Sequence, residues 1–561
     1  MNKIITLPER IISRIAAGEV IERPVYAVKE LIENSLDAGS DSIRIQIEEA
    51  GLKKIVVSDD GEGMSEEDLL QSFKPHTTSK VTEETLIGIK TLGFRGEALA
   101  SIAAICTLTL QSRTKETPAG ISIKIQNGEI VDKSPMGMPV GTAITIQNLF
   151  STVPARKKFL KTQRTEFRHI VELISSYALA YPHIRFTLIH NKKIILELSK
   201  NMTLPNRIEK ILGASLLTQL LPVTAEPSYV QIQGFIARPQ ISVSTQSKQY
   251  VFVNKRLVSD RLISNAVKEI YGHLLEATRF PVFILFLDLP HEAVDVNVHP
   301  RKEQVIYMNT RSVYDAVKDA ISKTLSENNL TFSQDILPKY SPRAGTTSLY
   351  AAQVLKEEII PWNVKDALSV LDSSDIIQIH NTYVMAQTKR GALLLDQHAA
   401  HERILYKQFK KEFHLKKKRV MELEEPLFIE VSTADVEVLH EHLETLQTFG
   451  FTIKQDKNHT FYITHVPELF KDRDISQLIH EMVEELANDK EFSNLDHLTD
   501  LMLSFLACRS AIKAGEKLTQ QEARKLIQKL QKTPNNTTCP HGRPTQIEVD
   551  LKNLHRIFKR S

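Results

Sequence analysis

Hydrophobic and polar residues alternate with two different periods along this chain. Ile43, Ile45 and Ile47 recur at every second position, which predicts a strand with one buried face. The apolar stretch 54–58 predicts a second strand, which ends in an acidic turn that contains glycines. The preceding segment 23–39 has helical periodicity, with a proline near its start and a glycine at its end. The first part of the chain is therefore predicted to mix helices with strands.

The same patterns return further along the chain. Strands are predicted over 250–253, 281–287 and 392–395, and a helix is predicted over 260–274. A further long amphipathic helix is predicted just before Gly450. Its apolar positions are Val436, Leu439, Leu443 and Leu446.

Length and texture predict several domains. A chain of 561 residues is too long for one hydrophobic core and indicates three or four domains. One polar stretch without periodicity is interpreted as a linker. The predicted divisions are 1–210, 211–330, the linker 331–372, and 373–561.

Charge and composition exclude some functions. With 71 basic and 68 acidic residues the net charge is only +3, so any nucleic-acid binding must come from local patches. No signal-peptide pattern is present, and the longest apolar run, 283–289, is too short to span a bilayer. We expect a soluble, intracellular protein without membrane association. Its three cysteines are expected to serve packing or metal binding rather than disulfides.

Polar residues on the first helix suggest chemistry. Glu30 and Asn34 are four residues apart and share one helical face. The carboxylate can take a proton from water, and the amide oxygen can hold Mg²⁺ at the phosphates of a nucleotide. Asp59, at the end of the second strand, can accept a hydrogen bond from an adenine amino group. The alternatives are an ordinary polar pair on an amphipathic helix and an ordinary Asp-Gly turn.

A glycine-containing loop follows these residues. The segment 88–99 leads directly into a helix start, where free backbone amides favour phosphate. The Gly-x-x-x-x-Gly-Lys-Ser/Thr pattern is absent, so this is not a P-loop.

Three strings in this region resemble a known family almost residue for residue. They are Ile15-Ala-Ala-Gly-Glu-Val-Ile-Glu-Arg-Pro24, Glu33-Asn-Ser-Leu-Asp-Ala-Gly39 and Gly93-Phe-Arg-Gly-Glu-Ala-Leu99. They resemble the MutL branch of the GHKL ATPases. Proteins of this branch act in DNA mismatch repair. The resemblance implies an α+β multidomain protein: a GHKL α/β-sandwich ATPase domain, an S5-like transducer domain, a linker, and an α/β C-terminal domain for dimerisation and metal binding.

The resemblance also implies roles at an ATP site. Glu30 would be the general base, Asn34 the Mg²⁺ ligand and Asp59 the adenine reader, with Thr142 beneath the base. Lys302, within Asp295-Val-Asn-Val-His-Pro-Arg-Lys302, would reach the terminal phosphate from the transducer domain. The other residues implied at the nucleotide and its lid are Gly63, Thr78, Ser79, Lys80, Gly93, Phe94, Arg95 and Gly96.

The C-terminal third carries potential metal ligands. Asp396-Gln-His398-Ala-Ala-His-Glu402, Cys508, and Cys539-Pro-His541 combine carboxylates, imidazoles and thiols, a mixture that suits zinc and related ions. These strings resemble the endonuclease site of nicking MutL proteins, so Asp396, His398, Glu402, Cys508, Cys539 and His541 are predicted to bind Zn²⁺ or Mn²⁺. Cys106 is predicted to be a core residue.

Two positions depart from the family pattern. Lys407 replaces the usual second glutamate of the first metal motif, and Met421 replaces the glutamine that starts the segment for the sliding clamp. The first departure leaves nicking in question, and the second leaves clamp binding in question.

The resemblance predicts an ATP-driven homodimeric clamp in mismatch repair. Its expected partners are the mismatch sensor MutS, DNA and the replication sliding clamp. Arg256 and Arg261 are expected to contact the DNA. Its expected location is the bacterial cytoplasm, at the nucleoid. The C-terminal domain would nick DNA; the alternative is a matchmaker without nuclease activity, whose C-terminal domain only dimerises and recruits partners.

Overall fold

The structure of the chain is a computed structural model. It describes residues 21–80, 91–93, 96–126, 128–225, 229–243, 245–275, 279–296, 304–328, 330, 376–388, 391–414, 420–457, 459–470, 474–488, 495–513, 515–540, 542–552 and 555. The predicted linker 331–372 lies outside the described residues.

An eight-stranded sheet forms the first domain, in the order β5-β4-β3-β6-β2-β1-β7-β8. Its strands are β1 (Ser42–Glu48), β2 (Lys54–Asp59), β3 (Thr107–Arg113), β4 (Gly120–Gln126), β5 (Glu129–Met136), β6 (Gly141–Gln147), β7 (Arg185–His190) and β8 (Lys193–Leu198). The accompanying helices are α1 (Pro24–Asp37), α2 (Glu66–Gln71), α3 (Ala98–Ile105), α4 (Pro154–Lys158) and α5 (Gln163–Ala180). Strands β1 and β7 pair in parallel, and the other neighbours are antiparallel.

Alternating burial explains the position of β1 in this sheet. Ile43, Ile45 and Ile47 are at most 1% exposed, and they join the core formed with α1 and α5. Burying each such side chain contributes about 1.5–3 kcal/mol. The predicted strand is therefore confirmed. Cys106 is also confirmed as a core residue, since it is 2% exposed.

A five-stranded sheet in the order β13-β12-β15-β10-β9 forms the second domain. The strands of this region are β9 (Leu220–Thr224), β10 (Gln231–Ala237), β11 (Ser242–Val243), β12 (Gln249–Val253), β13 (Arg256–Val258), β14 (Phe280–Pro281), β15 (Phe283–Asp288), β16 (Val294–Asp295) and β17 (Ile306–Tyr307). Its helices are α6 (Leu204–Leu212), α7 (Ala214–Thr218), α8 (Arg261–Tyr271) and α9 (Thr310–Glu327). The predicted helix 260–274 is confirmed as α8 followed by a short 3₁₀ turn, Gly272–Leu274.

The C-terminal part contains two further sheets, in the orders β18-β19-β20-β24 and β21-β23-β22. Their strands are β18 (Ile376–Ile379), β19 (Tyr383–Thr388), β20 (Gly391–Asp396), β21 (Val420–Glu430), β22 (Thr452–Lys457), β23 (Thr460–Pro467) and β24 (Gln546–Asp550). The helices are α10 (Gln397–His414), α11 (Val436–Thr448), α12 (Ile475–Asn488), α13 (Leu495–Ser510) and α14 (Gln520–Gln531). The predicted amphipathic helix before Gly450 is confirmed as α11, which buries Leu439 and Leu446.

The C-terminal part contacts both preceding domains. Arg164 of α5, in the first domain, lies with its Nη1 2.6 Å from Glu441 Oε1, and two further contacts involve the second domain. Arg279 Nη2 lies 2.8 Å from Glu481 Oε1, and Arg509 Nε lies 2.9 Å from the other oxygen of the same carboxylate. Glu430 Oε2 accepts a hydrogen bond of 2.8 Å from the backbone amide of Ala214, at the start of α7. These contacts use charges that are sequestered from solvent, since Arg279 and Glu481 are 5% and 8% exposed.

No helix in the described part of the chain is both long enough and apolar enough to cross a lipid bilayer.

Candidate nucleotide site and C-terminal metal ligands

A cavity of about 650 Å³ opens between α1, the end of β2 and the segments before α3. The predicted nucleotide-site residues that the structure describes all line it. They are Glu30, Asn34, Asp59, Gly63, Thr78, Ser79, Lys80, Gly93, Gly96 and Thr142. Phe94, Arg95 and Lys302 lie outside the described residues, so their roles stay predictions.

Helix α1 is held so that one face meets the cavity and another meets the core. Pro24 occupies its first turn, and Arg23 just before it pairs with Glu166 at 2.7 Å. Glu33 faces the core, where it is 1% exposed and accepts a 2.7 Å hydrogen bond from the Tyr177 hydroxyl. Glu30, three residues earlier, lines the cavity.

Three hydrogen bonds fix the carboxylate of Asp59 in the cavity. Its Oδ2 accepts a 2.8 Å hydrogen bond from Ser35 Oγ, and its Oδ1 accepts from the amides of Gly61 at 3.0 Å and Thr142 at 3.3 Å. Burial raises the pKa of Asp59 above its ordinary value, while these hydrogen bonds oppose the shift. The result is an oriented acceptor at the bottom of the cavity.

Glycine is required where backbones approach Asp59 closely. Gly141 has φ +128°, and a Cβ there would lie 2.1 Å from the carbonyl oxygen of Asp59 on the neighbouring strand. This close pairing of β6 with β2 brings Thr142 opposite Asp59 in the sheet. Sequence pattern alone gave no sign of that register.

Asp37 connects three parts of the cavity, and sequence reasoning missed it. Its Oδ1 accepts from the amide of Leu92, and its Oδ2 accepts from that of Gly93, both at 2.9 Å. Lys80 Nζ lies 2.7 Å from Asp37 Oδ2 and 2.8 Å from Asn34 Oδ1. The signal was available, since Asp37 is three residues after Asn34 and shares its side of α1.

The same contacts test whether the cavity suits a magnesium ion. The side-chain oxygens of Asn34 and Asp37 both converge on the positive ammonium of Lys80. Hard oxygen donors that converge on a positive charge are the ligands that Mg²⁺ prefers. The residues present therefore fit the ion.

The two predicted DNA contacts have different environments. Arg261 is exposed at the first position of α8. Arg256 is 5% exposed, and its Nη2 donates to the carbonyl oxygens of Thr91 at 3.0 Å and Leu92 at 3.2 Å. A phosphate backbone does not reach a guanidinium enclosed in this way, and the predicted contact of Arg256 with DNA stays a prediction.

In the C-terminal part, two predicted metal ligands lie close together. His398 Nε2 is 3.9 Å from Cys508 Sγ, and His398 Nδ1 donates to the carbonyl oxygen of Ile512 at 2.9 Å. This second contact orients the ring and leaves Nε2 for a metal. Burial raises the pKa of Cys508 to about 11, with Glu402 and Cys539 adding to the shift.

Asp396, Glu402 and Cys539 are the other predicted metal ligands that the structure describes. Asp396 Oδ1 accepts from the amide of Ala399 at 2.9 Å, at the start of α10, and Glu402 and Cys539 are buried. In the part of the chain that the structure describes, no group of three or more His, Cys, Asp or Glu residues is arranged to hold a metal ion. His541 lies outside the described residues, and the full ligand set stays a prediction.

His401 also borders this region, and sequence reasoning missed it. Its Nδ1 accepts a 3.0 Å hydrogen bond from the amide of Ile512, and burial lowers its pKa to about 4. His398 and His401 therefore hold the two polar groups of Ile512 and fix the segment after α13 against α10.

Comparison with known proteins identifies the family. The chain is 37% identical over 573 residues to the DNA mismatch repair protein MutL of Dictyoglomus turgidum, covering all of both chains. It is 33% identical over 646 residues to the protein of the same name from Koribacter versatilis, again over both full lengths. The chain belongs to the MutL family of DNA mismatch repair proteins.

Three family models match successive parts of this MutL-family chain. Residues 22–138 match the histidine kinase-, DNA gyrase B- and HSP90-like ATPase, and 208–326 match the C-terminal domain model of DNA mismatch repair proteins. Residues 376–518 match the MutL C-terminal dimerisation domain. A solved structure titled the N-terminal domain of a DNA repair protein has a TM-score of 0.50 and 29% identity, and the match covers 57% of this chain and 99% of that one.

The predicted fold class is confirmed: the MutL-family chain has a GHKL ATPase domain, a mixed α/β organisation over several domains, and a C-terminal dimerisation domain. Its function is DNA mismatch repair, and its last domain matches the family's dimerisation domain.

Proposed function

We propose that the cavity binds and hydrolyses Mg²⁺-ATP, and that the binding of ATP closes the dimer into a clamp on DNA. The observation that supports it is the convergence of Glu30, Asn34 and Asp59 on one cavity that also contains the glycine segments around Gly93 and Gly96. A base, a metal ligand and an acceptor for a purine amino group are together what ATP hydrolysis needs.

Each residue has a distinct task in this proposal. Asp59 accepts a hydrogen bond from the adenine amino group, since its carboxylate is fixed by Ser35, Gly61 and Thr142. Asn34 would hold the magnesium ion, whose positive charge would offset the charge of the phosphates. Glu30 takes a proton from the attacking water.

Two substitutions test these tasks. Glu30→Ala should bind ATP and fail to hydrolyse it, because only the proton acceptor is removed. Asn34→Ala should lose the part of nucleotide binding that depends on magnesium. Calorimetry and phosphate release measure both effects, and normal hydrolysis by Glu30→Ala would refute the assignment of the base.

We infer that one sheet face forms the dimer contact. Ile377, Met385, Leu394 and Ile547 lie beside one another across β18, β19, β20 and β24. Ile377 and Ile547 are 53% and 56% exposed, whereas the opposite face of the sheet is buried against α10 and α14. An apolar row open to water on one side of a sheet favours a self-complementary contact.

We also propose that the C-terminal domain nicks DNA at a zinc or manganese site. The thiol and imidazole pair of Cys508 and His398 fits the donor preference of zinc, and the second nitrogen of His398 is already oriented. When bound, the metal would polarise a scissile phosphate. Asp396, Glu402, Cys539 and His541 are the further ligands proposed from the family resemblance.

Supercoiled plasmid with manganese tests the nuclease. Wild-type chain should convert the plasmid to the nicked form, and Asp396→Asn should not. Absence of nicking by wild type, or equal nicking by the variant, would favour the matchmaker function instead. A matched variant, Lys407→Glu, restores the usual second carboxylate and should raise the rate if a second metal limits it.

The remaining partners are proposed from the family and from exposed positions. Arg261 offers an exposed side chain for DNA phosphates, so Arg261→Glu should weaken binding regardless of sequence and reduce its salt dependence. The segment starting at Met421 lies on β21, where the pairing with β23 is interrupted between Glu422 and Leu427. We propose it for the sliding clamp. MutS is the proposed mismatch sensor, and the bacterial nucleoid is the proposed location.

A further inference from the structure

The buried guanidinium of Arg256 lies between the two N-terminal domains. Arg256 is the first residue of β13 in the second domain. Its hydrogen-bond acceptors, the carbonyls of Thr91 and Leu92, belong to the first domain, just before residues 93–96, the predicted phosphate loop. Its Nη1 is buried and makes no hydrogen bond to any residue that the structure describes. A buried cation with so few acceptors depends strongly on those two carbonyls.

Arg256 is mounted on a rigid support. The β12–β13 hairpin turns at Asn254 and Lys255, which have φ of 48° and 64°. Asn254 Oδ1 accepts from the amide of Leu289 at 2.9 Å, within the second domain. The Tyr181 hydroxyl of the first domain donates to the Lys255 carbonyl at 3.3 Å, so the turn beside Arg256 also contacts the first domain. The backbone of Arg256 itself is part of the second domain's sheet, since β13 pairs with β12.

The segment 91–93 is held from both sides. Its carbonyls at Thr91 and Leu92 accept from Arg256, and its amides at Leu92 and Gly93 donate to Asp37. A cation and an anion thus act on opposite polar groups of the same peptides. Any displacement of the second domain would alter the segment that enters the Gly93–Gly96 loop.

We propose that Arg256 is a positioning residue that couples the placement of the transducer domain to the phosphate loop. This inference rests on the proposed binding of ATP in the cavity. Coupling of this kind is reciprocal, so a triphosphate that fixes the loop also fixes the transducer domain through Arg256.

The experiment compares full-length variants. Arg256→Met keeps the apolar stem and removes every donor, and Arg256→Lys keeps the charge but cannot bridge two carbonyls. Lys255→Gln, one residue earlier on the exposed turn, is the matched control for loss of a charge. The probes are a non-hydrolysable ATP analogue with magnesium, ADP with magnesium, and a DNA duplex.

Arg256→Met should weaken binding of the triphosphate analogue about tenfold, with a smaller effect on ADP. Arg256→Lys should be intermediate, and Lys255→Gln should match wild type. Without nucleotide, the amides of Leu92 and Gly93 should exchange hydrogen faster in Arg256→Met, because their bonds to Asp37 lose the opposing support. DNA affinity should be unchanged in Arg256→Met.

Several results would overturn the proposal. Wild-type analogue affinity and wild-type exchange at 92 and 93 in a folded Arg256→Met would do so. Loss of DNA affinity with unchanged nucleotide affinity would also do so, since it would return Arg256 to a DNA-contacting role. If Arg256→Met does not fold, Arg256→Lys provides the test. Hydrogen exchange at the amides of residues 92 and 93 that matches wild type in Arg256→Lys would refute the proposal. If wild-type chain binds no analogue, the proposed ATP site fails, while the exchange measurement still judges Arg256.

Discussion

Replacing Asp59 with asparagine should change the base preference of the cavity while leaving the fold intact. The amide oxygen of Asp59→Asn can still accept from Gly61 and Thr142, which now bond Oδ1 at 3.0 and 3.3 Å. Ser35 Oγ also lies 3.1 Å from the Leu31 carbonyl, so its hydroxyl can donate there and accept from the new amide group. The local hydrogen bonds therefore survive.

The loss is confined to the nucleotide. In the variant an amide donor replaces the carboxylate oxygen that Ser35 contacts, and a donor cannot pair with the donating amino group of adenine. A hydrogen bond to a charged group contributes about 1.5–3 kcal/mol, which corresponds to a dissociation constant about 10- to 150-fold higher. Inosine triphosphate carries an acceptor in place of the amino group, so the variant should lose much less affinity for it.

Isothermal calorimetry with both triphosphates provides the measurement, and Asp60→Asn is the matched control. Asp60 is the adjacent carboxylate, and it accepts from the amides of Asp41 and Ser42 at 2.8 Å outside the cavity. The control should bind ATP as wild type does. Unchanged ATP affinity in Asp59→Asn, or an equal loss for both triphosphates, would refute the reasoning.

Two further predictions concern stability. Gly63→Ala should lower the free energy of unfolding in urea more than Gly128→Ala does. Both glycines have positive φ, but a Cβ at Gly63 would lie 2.1 Å from a backbone carbonyl oxygen, whereas a Cβ at Gly128 meets no described atom within 4 Å. The strain of φ alone costs about 1–2 kcal/mol, so equal losses would contradict the steric argument. The pKa of His480 is lowered to about 4, because burial and Lys248 disfavour its charged form. The unfolded chain therefore binds more protons than the folded one below pH 6.5. As the pH falls from 6.5 to 4.5, the free energy of unfolding of wild type should drop by up to about 2 kcal/mol more than that of His480→Gln. An equal drop in both proteins would contradict this prediction.

Much of the N-terminal site could be predicted from local sequence. The helical spacing of Glu30 and Asn34 puts both on one face, and α1 begins at the predicted proline. Asp59 ends the strand that the apolar stretch 54–58 predicted, and it lines the cavity. These features depend on residues within a few positions of each other.

The role of Arg256 could not be predicted in this way. The family resemblance suggested a contact with DNA, and only the packing of two domains shows that the side chain is buried. Its acceptors are 164 and 165 positions away in sequence. Likewise, His398 and Cys508 are 110 positions apart, and no periodicity links them.

Local sequence is enough to predict which segments become helices and strands and which side chains can act on a nucleotide. Hydrophobic periodicity and turn chemistry act over short stretches, so they can be read along the chain. Only the packed structure shows which charged side chains are enclosed and which peptide groups they contact. Asp37 and Arg256, which bond to residues 91–93 from opposite sides, are examples. The physical reason is that burial and hydrogen-bond pairing across distant segments depend on how sheets and helices pack, which no local pattern specifies.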